Sequence, residues 1–351
     1  MKKVKAMILF LTVLSFTVVF LSCSSSNTNN KNTTQQKTQT VEKVKIGLSL
    51  ASEQEERWIR DMDTIVAECK KSQISLIVES AEMNSDRQVA QCADMLAKGI
   101  QVLILVPQDA MKASEIIDMA HAKGVKVISY DRLVLDSDVD IYLSFDNEKV
   151  GELQGKALTD AVPKGNYIVF SGAPNDNNSK YFLSGAMKYI QPLADRGDIQ
   201  IVMNEPVDNW EPNNAYELVK KALEKNNNNI QAILSPNDGL AAACIKALDE
   251  QKLGGKVIVT GQDAEILGAK RIAEGTQLMT VFKDTRDLGK KAVEVALELV
   301  KDRKIETNSA INNNKINVPS VLLSPVSVDK NNMEEVLINS GYLNRNSVYT
   351  K

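Results

Sequence analysis

The chain has 351 residues, 43% of them hydrophobic and 25% charged, with 42 Lys and Arg against 45 Asp and Glu. At roughly 150 residues per domain this length suggests two domains, each able to bury a core. The interspersed, nearly cancelling charges argue against a basic nucleic-acid groove, and the single histidine, His121, argues against His-based acid–base chemistry and ordinary catalytic zinc sites.

Lys2, Lys3 and Lys5 precede an apolar run from Ala6 to Leu21 that ends in Ser22-Cys23. A basic start, a short apolar stretch and a small residue before the break make a secretory signal over residues 1–23. The run is too short for the ~20 residues that span a bilayer core. The lone Cys23 resembles the acylated cysteine of bacterial lipoproteins, although Phe20 stands where a small aliphatic residue is usual. An ordinary signal peptide cut nearby is the alternative. Residues 24–43 hold one hydrophobic side chain, Val41, and read as a polar tether with a reach of about 25 Å. Of the remaining cysteines, Cys69, Cys92 and Cys244 sit in helix-like apolar contexts and read as buried free thiols.

From Val44 onward short β-rich runs alternate with amphipathic stretches. Runs at Val44–Leu50, Ile74–Ser80, Val102–Val106, Val125–Tyr130 and Ile141–Phe145 enclose helical segments at Arg57–Lys70, Asp86–Ala97 and Lys112–Ala122. In the second helix Val89, Cys92, Ala93 and Leu96 share one face, and Gly99 and Gly124 end helices. The strands are nearly continuous apolar runs, as in a parallel sheet covered on both faces. The rhythm restarts at Asn147. Strands are expected at Tyr167–Ser171, Ile199–Val202, Ala232–Leu234, Val257–Thr260 and Met279–Phe282. Helices are expected at Asn147–Ala161, Ser179–Leu193, Asn213–Lys225, Gly239–Leu248 and Asp284–Val300. The tail adds a Pro-bounded run, Val318–Val328, and a short helix near Asn332–Ile338. Two successive blocks imply an α/β fold of two doubly wound parallel-sheet lobes.

Ligands of open α/β sheets bind beyond the carboxyl ends of the strands. Those ends carry Arg57-Trp58, Asp131-Arg132, Asn175 to Asn178, Asp208-Asn209-Trp210, Asn237-Asp238, Gln262-Asp263 and Lys283. The set lacks a nucleophile–base pair and suits a neutral polyol: carboxylates accept from hydroxyls, Arg, Lys and amides donate to them, and an indole face packs on the C–H face of a sugar ring. Asp or Asn after a strand is also a common helix cap. Asn147 and Asn213 are expected to be caps, and Trp58 has lobe packing as an alternative role. Capping alone does not explain seven such loops.

At these residues the chain resembles the D-xylose-binding group of the type I periplasmic sugar-binding family, from about Val44 to Tyr342. The resemblance rests on Glu56-Arg57-Trp58, Ser129-Tyr130-Asp131-Arg132, Ser144 to Gly151, Asp176-Asn177-Asn178, Asn237-Asp238, Gly261-Gln262-Asp263 and Met279 to Lys283. It implies the periplasmic binding protein type I fold, with an N-terminal lobe of 44–147 plus about 284–323 and a C-terminal lobe of 148–283 plus about 324–351. Hinge crossings would lie near 146–149, 283–284 and 324–326. It implies ligand contacts from Arg57, Asp131, Arg132, Asn178, Trp210, Asn237, Asp263 and Lys283, to which the strand-end reading adds Trp58; no cofactor and no metal are expected. It also implies a monomeric, non-enzymatic, extracytoplasmic lipoprotein that delivers D-xylose to the permease of an ABC importer. Departures are the acidic loop Ser52 to Glu55, which bears on sugar preference, and Asp284 where relatives often carry Pro.

Glucose, galactose or ribose are the alternative ligands, with chemotactic sensing as a compatible further role. A sugar-responsive repressor shares the fold but needs an N-terminal helix-turn-helix, where this chain has a signal and tether. GxSxG, Walker A, GxGxxG and HExxH are all absent from the sequence. His121, two residues before the helix-ending Lys123-Gly124, is expected to interact with the helix C-terminus.

Overall fold

The computed structural model describes residues 43–350. The expected signal peptide, Cys23 and all but the last residue of the tether lie outside the described residues. In chain order the first elements are β1 (Lys45–Leu50), α1 (Glu56–Lys71), β2 (Ser75–Ser80), α2 (Ser85–Ala97), β3 (Val102–Leu105), α3 (Ser114–His121), β4 (Lys126–Tyr130) and β5 (Ile141–Phe145). The order continues with α4 (Asn147–Ala161), β6 (Gly165–Ser171), α5 (Asn177–Asp195), β7 (Ile199–Pro206), α6 (Pro212–Lys225), β8 (Ala232–Leu234), α7 (Asp238–Glu250), β9 (Ile258–Val259), α8 (Ile266–Glu274) and β10 (Met279–Phe282). The last elements are α9 (Thr285–Val300), β11 (Ser309–Asn312), β12 (Asn317–Leu323), β13 (Val326–Asp329) and α10 (Arg345–Tyr349).

The strands form two main sheets. The first runs β11-β12-β5-β4-β3-β1-β2, parallel except for the β11–β12 pair. The second runs β7-β6-β8-β9, all parallel. A bridge between Gln262 and Val281 extends it to the antiparallel pair β10–β13. Helices cover both faces of the first sheet: α1 and α9 bury Trp58, Ile65, Leu288 and Ala292 on one side, and α2 and α3 bury Cys92, Met95, Ile116 and Ile117 on the other. That double cover is why β3 is buried at all four positions.

The chain passes between the sheets three times: from β5 into α4, from β10 into α9, and from β12 into β13. The last crossing divides the expected single run Val318–Val328 at Ser324-Pro325, because its halves pair with β5 and with β10 in different sheets. Helices α8 and α10 and strand β11 were not anticipated from the sequence, and the tail helix is a π-helical turn at Glu334–Asn339. Two expected caps are corrected. Asp146, with extended backbone, caps α4 by accepting from Lys149 N, and Glu211 caps α6 by accepting from Asn213 N. Asn147 and Asn213 therefore fall inside the first turns. His121 ends α3, but its Nε2 meets the Asp140 carboxylate at 2.9 Å.

Candidate functional site

Helix α1 opens the site. Its buried stripe is Arg57, Trp58, Asp61, Ile65 and Cys69, at the helical spacing that keeps residues three and four apart on one face. The stripe is apolar toward the C-terminus and charged in its first turns, so the helix packs on the sheet at one end and presents a guanidinium at the other. Arg57 Nη2 lies 2.8 Å from Asp131 Oδ2 and Nη1 lies 3.6 Å from Asp263 Oδ1. The Trp58 ring lies 4.2 Å from the Arg57 guanidinium and 5.3 Å from that of Arg132.

Asp131 follows β4 with a positive φ of 59°. Its carbonyl accepts from Tyr142 Oη and Ser144 Oγ, each at 2.8 Å, and from Asn178 Nδ2 at 3.1 Å. Asn147, freed from capping, donates to Asn178 Oδ1 at 2.8 Å. This network ties the end of β4, the start of α4 at one crossing and the start of α5 in the other lobe.

The opposite wall comes from the second sheet. Asp176 caps α5 through Oδ1, and its Oδ2 takes Arg132 Nε at 2.9 Å and Trp210 Nε1 at 3.2 Å. The Trp210 indole crosses the end of β6 where a side chain at Gly172 would collide with it. Lys283, only 2% exposed, points Nζ at Asp263 Oδ1 (3.2 Å) and Asp131 Oδ2 (3.9 Å). Asn237 caps α7 through Oδ1, accepting from Leu240 N at 2.8 Å, and still lines the same cavity.

All nine expected site residues line one cavity, with Glu55, Asp176, Phe182 and Gln262 added. Phe182, one turn after Asn178 on α5, meets Trp210 edge-on with centroids 6.4 Å apart. It reads in sequence as an ordinary core position, and only its spacing from Asn178 hints otherwise. Asp61 was also missed, and Asp176, marked within its loop, was not set against the cations. With them, three buried cations face four buried carboxylates. Burial works to raise the pKa of Asp131, but Arg57, Lys283 and Arg132 outweigh it and hold its carboxyl below the usual range. Arg57 gains the reciprocal stabilisation: burial disfavours its charge, and Asp131, Asp61 and Asp263 overcome that.

The ring is charge-paired but not saturated. Trp58 Nε1 and Gln262 Oε1 are buried without a partner, and Asp131 Oδ2 and Asp263 Oδ1 meet Arg57 and Lys283 by charge without an aligned hydrogen bond. Unmet buried donors and acceptors cost about 1–3 kcal/mol each, so such a cluster is tuned to a ligand rich in hydroxyls. Among the described residues that line the cavity there is no Ser, Thr, Cys or His. The thiols of Cys69, Cys92 and Cys244 are buried, and burial pushes them up to about 11, 11 and 12. Among the described residues no group of three or more His, Cys, Asp or Glu side chains is arranged to hold a metal ion.

Known proteins are similar to this chain over most of its length. Residues 46–304 match the periplasmic binding protein domain model. The chain is 43% identical over 300 residues to the D-xylose-binding periplasmic protein of Escherichia coli, covering 86% of this chain and 91% of that protein. It is 42% identical over 306 residues to the protein of the same name from Haemophilus influenzae, covering 87% and 92%. Among solved structures, a carbohydrate transporter solute-binding protein from Chloroflexus aurantiacus in complex with D-glucose superposes with a TM-score of 0.81 at 32% identity, covering 86% of this chain and 97% of that one.

Proposed function

The chain belongs to the periplasmic binding protein family, and from that premise we propose that it is the extracytoplasmic substrate-binding protein of an ABC sugar importer, with D-xylose as its ligand. One observation carries the reading: a cavity where buried Arg57, Lys283, Asp131 and Asp263 pair by charge, while Gln262 Oε1 has no partner and Asp131 Oδ2 and Asp263 Oδ1 have no aligned hydrogen bond. A neutral polyol supplies hydroxyls to those acceptors without adding charge, and Trp58, Trp210 and Phe182 offer faces to its C–H surface.

The proposed lobes are 44–147 with 284–323, and 148–283 with 324–351, turning about the three crossings. Arg57, Asp131 and Arg132 contact the sugar from the first, and Asn178, Trp210, Asn237, Asp263 and Lys283 from the second. Ligand bridging both lobes shifts the open–closed equilibrium by its differential affinity for the closed form. A pentose of ten heavy atoms has a ceiling of about 15 kcal/mol, while micromolar binding needs only about 8. The surplus is available to drive closure. The protein acts by binding and release, without catalysis, as a monomer that meets the permease and no nucleic acid. Residues 1–23 direct export, Cys23 carries the lipid, and 24–43 tether the domain to the membrane.

Glucose is the second reading, favoured by the D-glucose complex of the Chloroflexus relative; Glu55 of the acidic loop lines the cavity and bears on the choice. Calorimetry and tryptophan fluorescence against xylose, glucose, galactose and ribose test both. Xylose is expected to bind most tightly, and Asp131→Ala or Asp263→Ala to cost at least ~2 kcal/mol of affinity, while Lys112→Ala leaves it unchanged. If no neutral monosaccharide binds saturably, the reading is wrong.

A further inference from the structure

Asp61 stands apart from the other acids of the site. It is fully buried and lies one helical turn after Arg57. Both its oxygens are occupied: Oδ2 accepts from Arg57 Nε at 3.2 Å and Nη2 at 3.0 Å, and Oδ1 accepts from the Tyr130 hydroxyl. Asp131 Oδ2 and Asp263 Oδ1 are held by charge contacts without an aligned hydrogen bond, whereas both oxygens of Asp61 are hydrogen-bonded. Asp61 is not among the residues lining the cavity.

The consequence for Arg57 is geometric. A guanidinium has five donors in one rigid plane. Asp61 takes the Nε side, so the Nη1 edge is turned toward Asp263 and the cavity, with the Trp58 ring stacked on it. An arginine held only by Asp131 would be free to swing its fork about that single contact.

We propose that Asp61, through its charge, is a positioning residue that locks the Arg57 fork toward the ligand. The inference rests on the sugar-binding reading of the cavity. The groups facing Asp61 are Arg57 on its own helix, Tyr130 at the end of β4, Asp131 just after it, and Tyr342 from the C-terminal segment. Helix α9, packed on α1, adds apolar Leu288 and Ala292 to the surrounding cluster. Burial raises the Asp61 carboxyl to about 6 against the opposing pull of Arg57 and the Tyr130 hydroxyl. Protonation below that pH removes one of the charged hydrogen-bond acceptors of Arg57.

The test titrates D-xylose into the whole mature protein at pH 5 to 8, with melting temperatures as a folding control. The wild type is expected to hold a level affinity above about pH 7 and to lose it below about 6. Asp61→Asn keeps the shape but not the charge. It is expected to bind at least about tenfold more weakly at pH 7.5, the loss typical of one charged hydrogen bond, and to lose the acid limb. Tyr130→Phe removes the hydroxyl that favours the charged form, so its acid limb is expected to move to higher pH, which keeps the test open if Asp61→Asn does not fold. An Asp61→Asn protein with wild-type affinity, or one that retains the acid limb, overturns the inference and assigns the titration to Asp238 or Glu265. An unmoved limb in Tyr130→Phe also overturns it. A wild type that binds no monosaccharide overturns the sugar reading itself, and so is distinguishable.

Discussion

Asp131 and Asp263 hold positive φ angles of 59° and 91°, and Trp210 one of 56°. Such backbone is uncommon for Asp and rarer for a bulky ring, and costs on the order of 1–3 kcal/mol where surroundings enforce it. Here three donors on the Asp131 carbonyl and the Asp263 N–H bond to Val281 O at 2.9 Å enforce it. A helix cap needs no such strain, so the backbone favours a binding role over capping at these positions. Behind Asp263 the wall is built on another acid. Asp238 is fully buried and accepts from Gln277 Nε2 at 2.7 Å, Thr280 Oγ1 at 3.0 Å and Glu265 N at 3.0 Å. Burial raises Asp238 to about 7 and Glu265 to about 8. The folded protein therefore holds protons that the unfolded chain has released, and stability contributed by these groups is lost as pH rises from about 4 to about 8. Denaturant titrations across that range are expected to show the fall, and Asp238→Asn with Glu265→Gln to flatten it; an unchanged slope in the double variant rejects this assignment.

At the scale of elements, α4 and α5 set the position of the second wall. They cross so closely that a Cβ at Gly151 would overlap the Phe182 carbonyl, and one at Gly185 the Glu148 carbonyl. The first turn of α5 carries Asn178 and the next carries Phe182, so the crossing distance fixes how far both reach into the cavity. Replacing glycine by alanine inside a helix normally gains about 1 kcal/mol. At this crossing the overlap outweighs that gain, and overpacking costs ~1–3 kcal/mol. Gly185→Ala is thus expected to lower stability in chemical denaturation and to weaken xylose binding together. A variant more stable than the wild type contradicts the close crossing.

Across the whole molecule, the two lobes touch through bonds that need no ligand. Helix α8 has no side-chain cap of its own, and Glu56, on α1 in the other lobe, accepts from Ile266 N at 3.2 Å. A carboxylate between helix N-termini satisfies an orphan N–H and complements the helix dipoles. A second clasp joins Ala110 N to Asn175 O at 3.0 Å and Asn175 Nδ2 to Gln108 O at 3.1 Å. Contacts made only between closed lobes add to apparent affinity without touching the sugar. Glu56→Ala is expected to weaken binding by roughly 2- to 10-fold, the worth of one such bond, and to enlarge the free protein in small-angle scattering. Equal affinity and equal dimensions would show that the clasp does not bias closure.

The alternation of apolar runs and amphipathic stretches determined the two α/β blocks, because double burial and helical periodicity are local properties of the chain. Polar groups at strand ends marked Arg57, Asp131, Asn237, Asp263 and Lys283 for the same reason: topology puts every such end on one edge. Tertiary structure alone decided what stands behind them. Asp61 meets Tyr130 across 69 positions and Glu56 meets Ile266 across 210, and no local pattern encodes a partner so distant. Asn147 looked like a cap until the fold brought Tyr142 and Asn178 to its amide. The split of Val318–Val328 between sheets was equally hidden, since a strand's periodicity says which faces are buried and not which neighbour it pairs with.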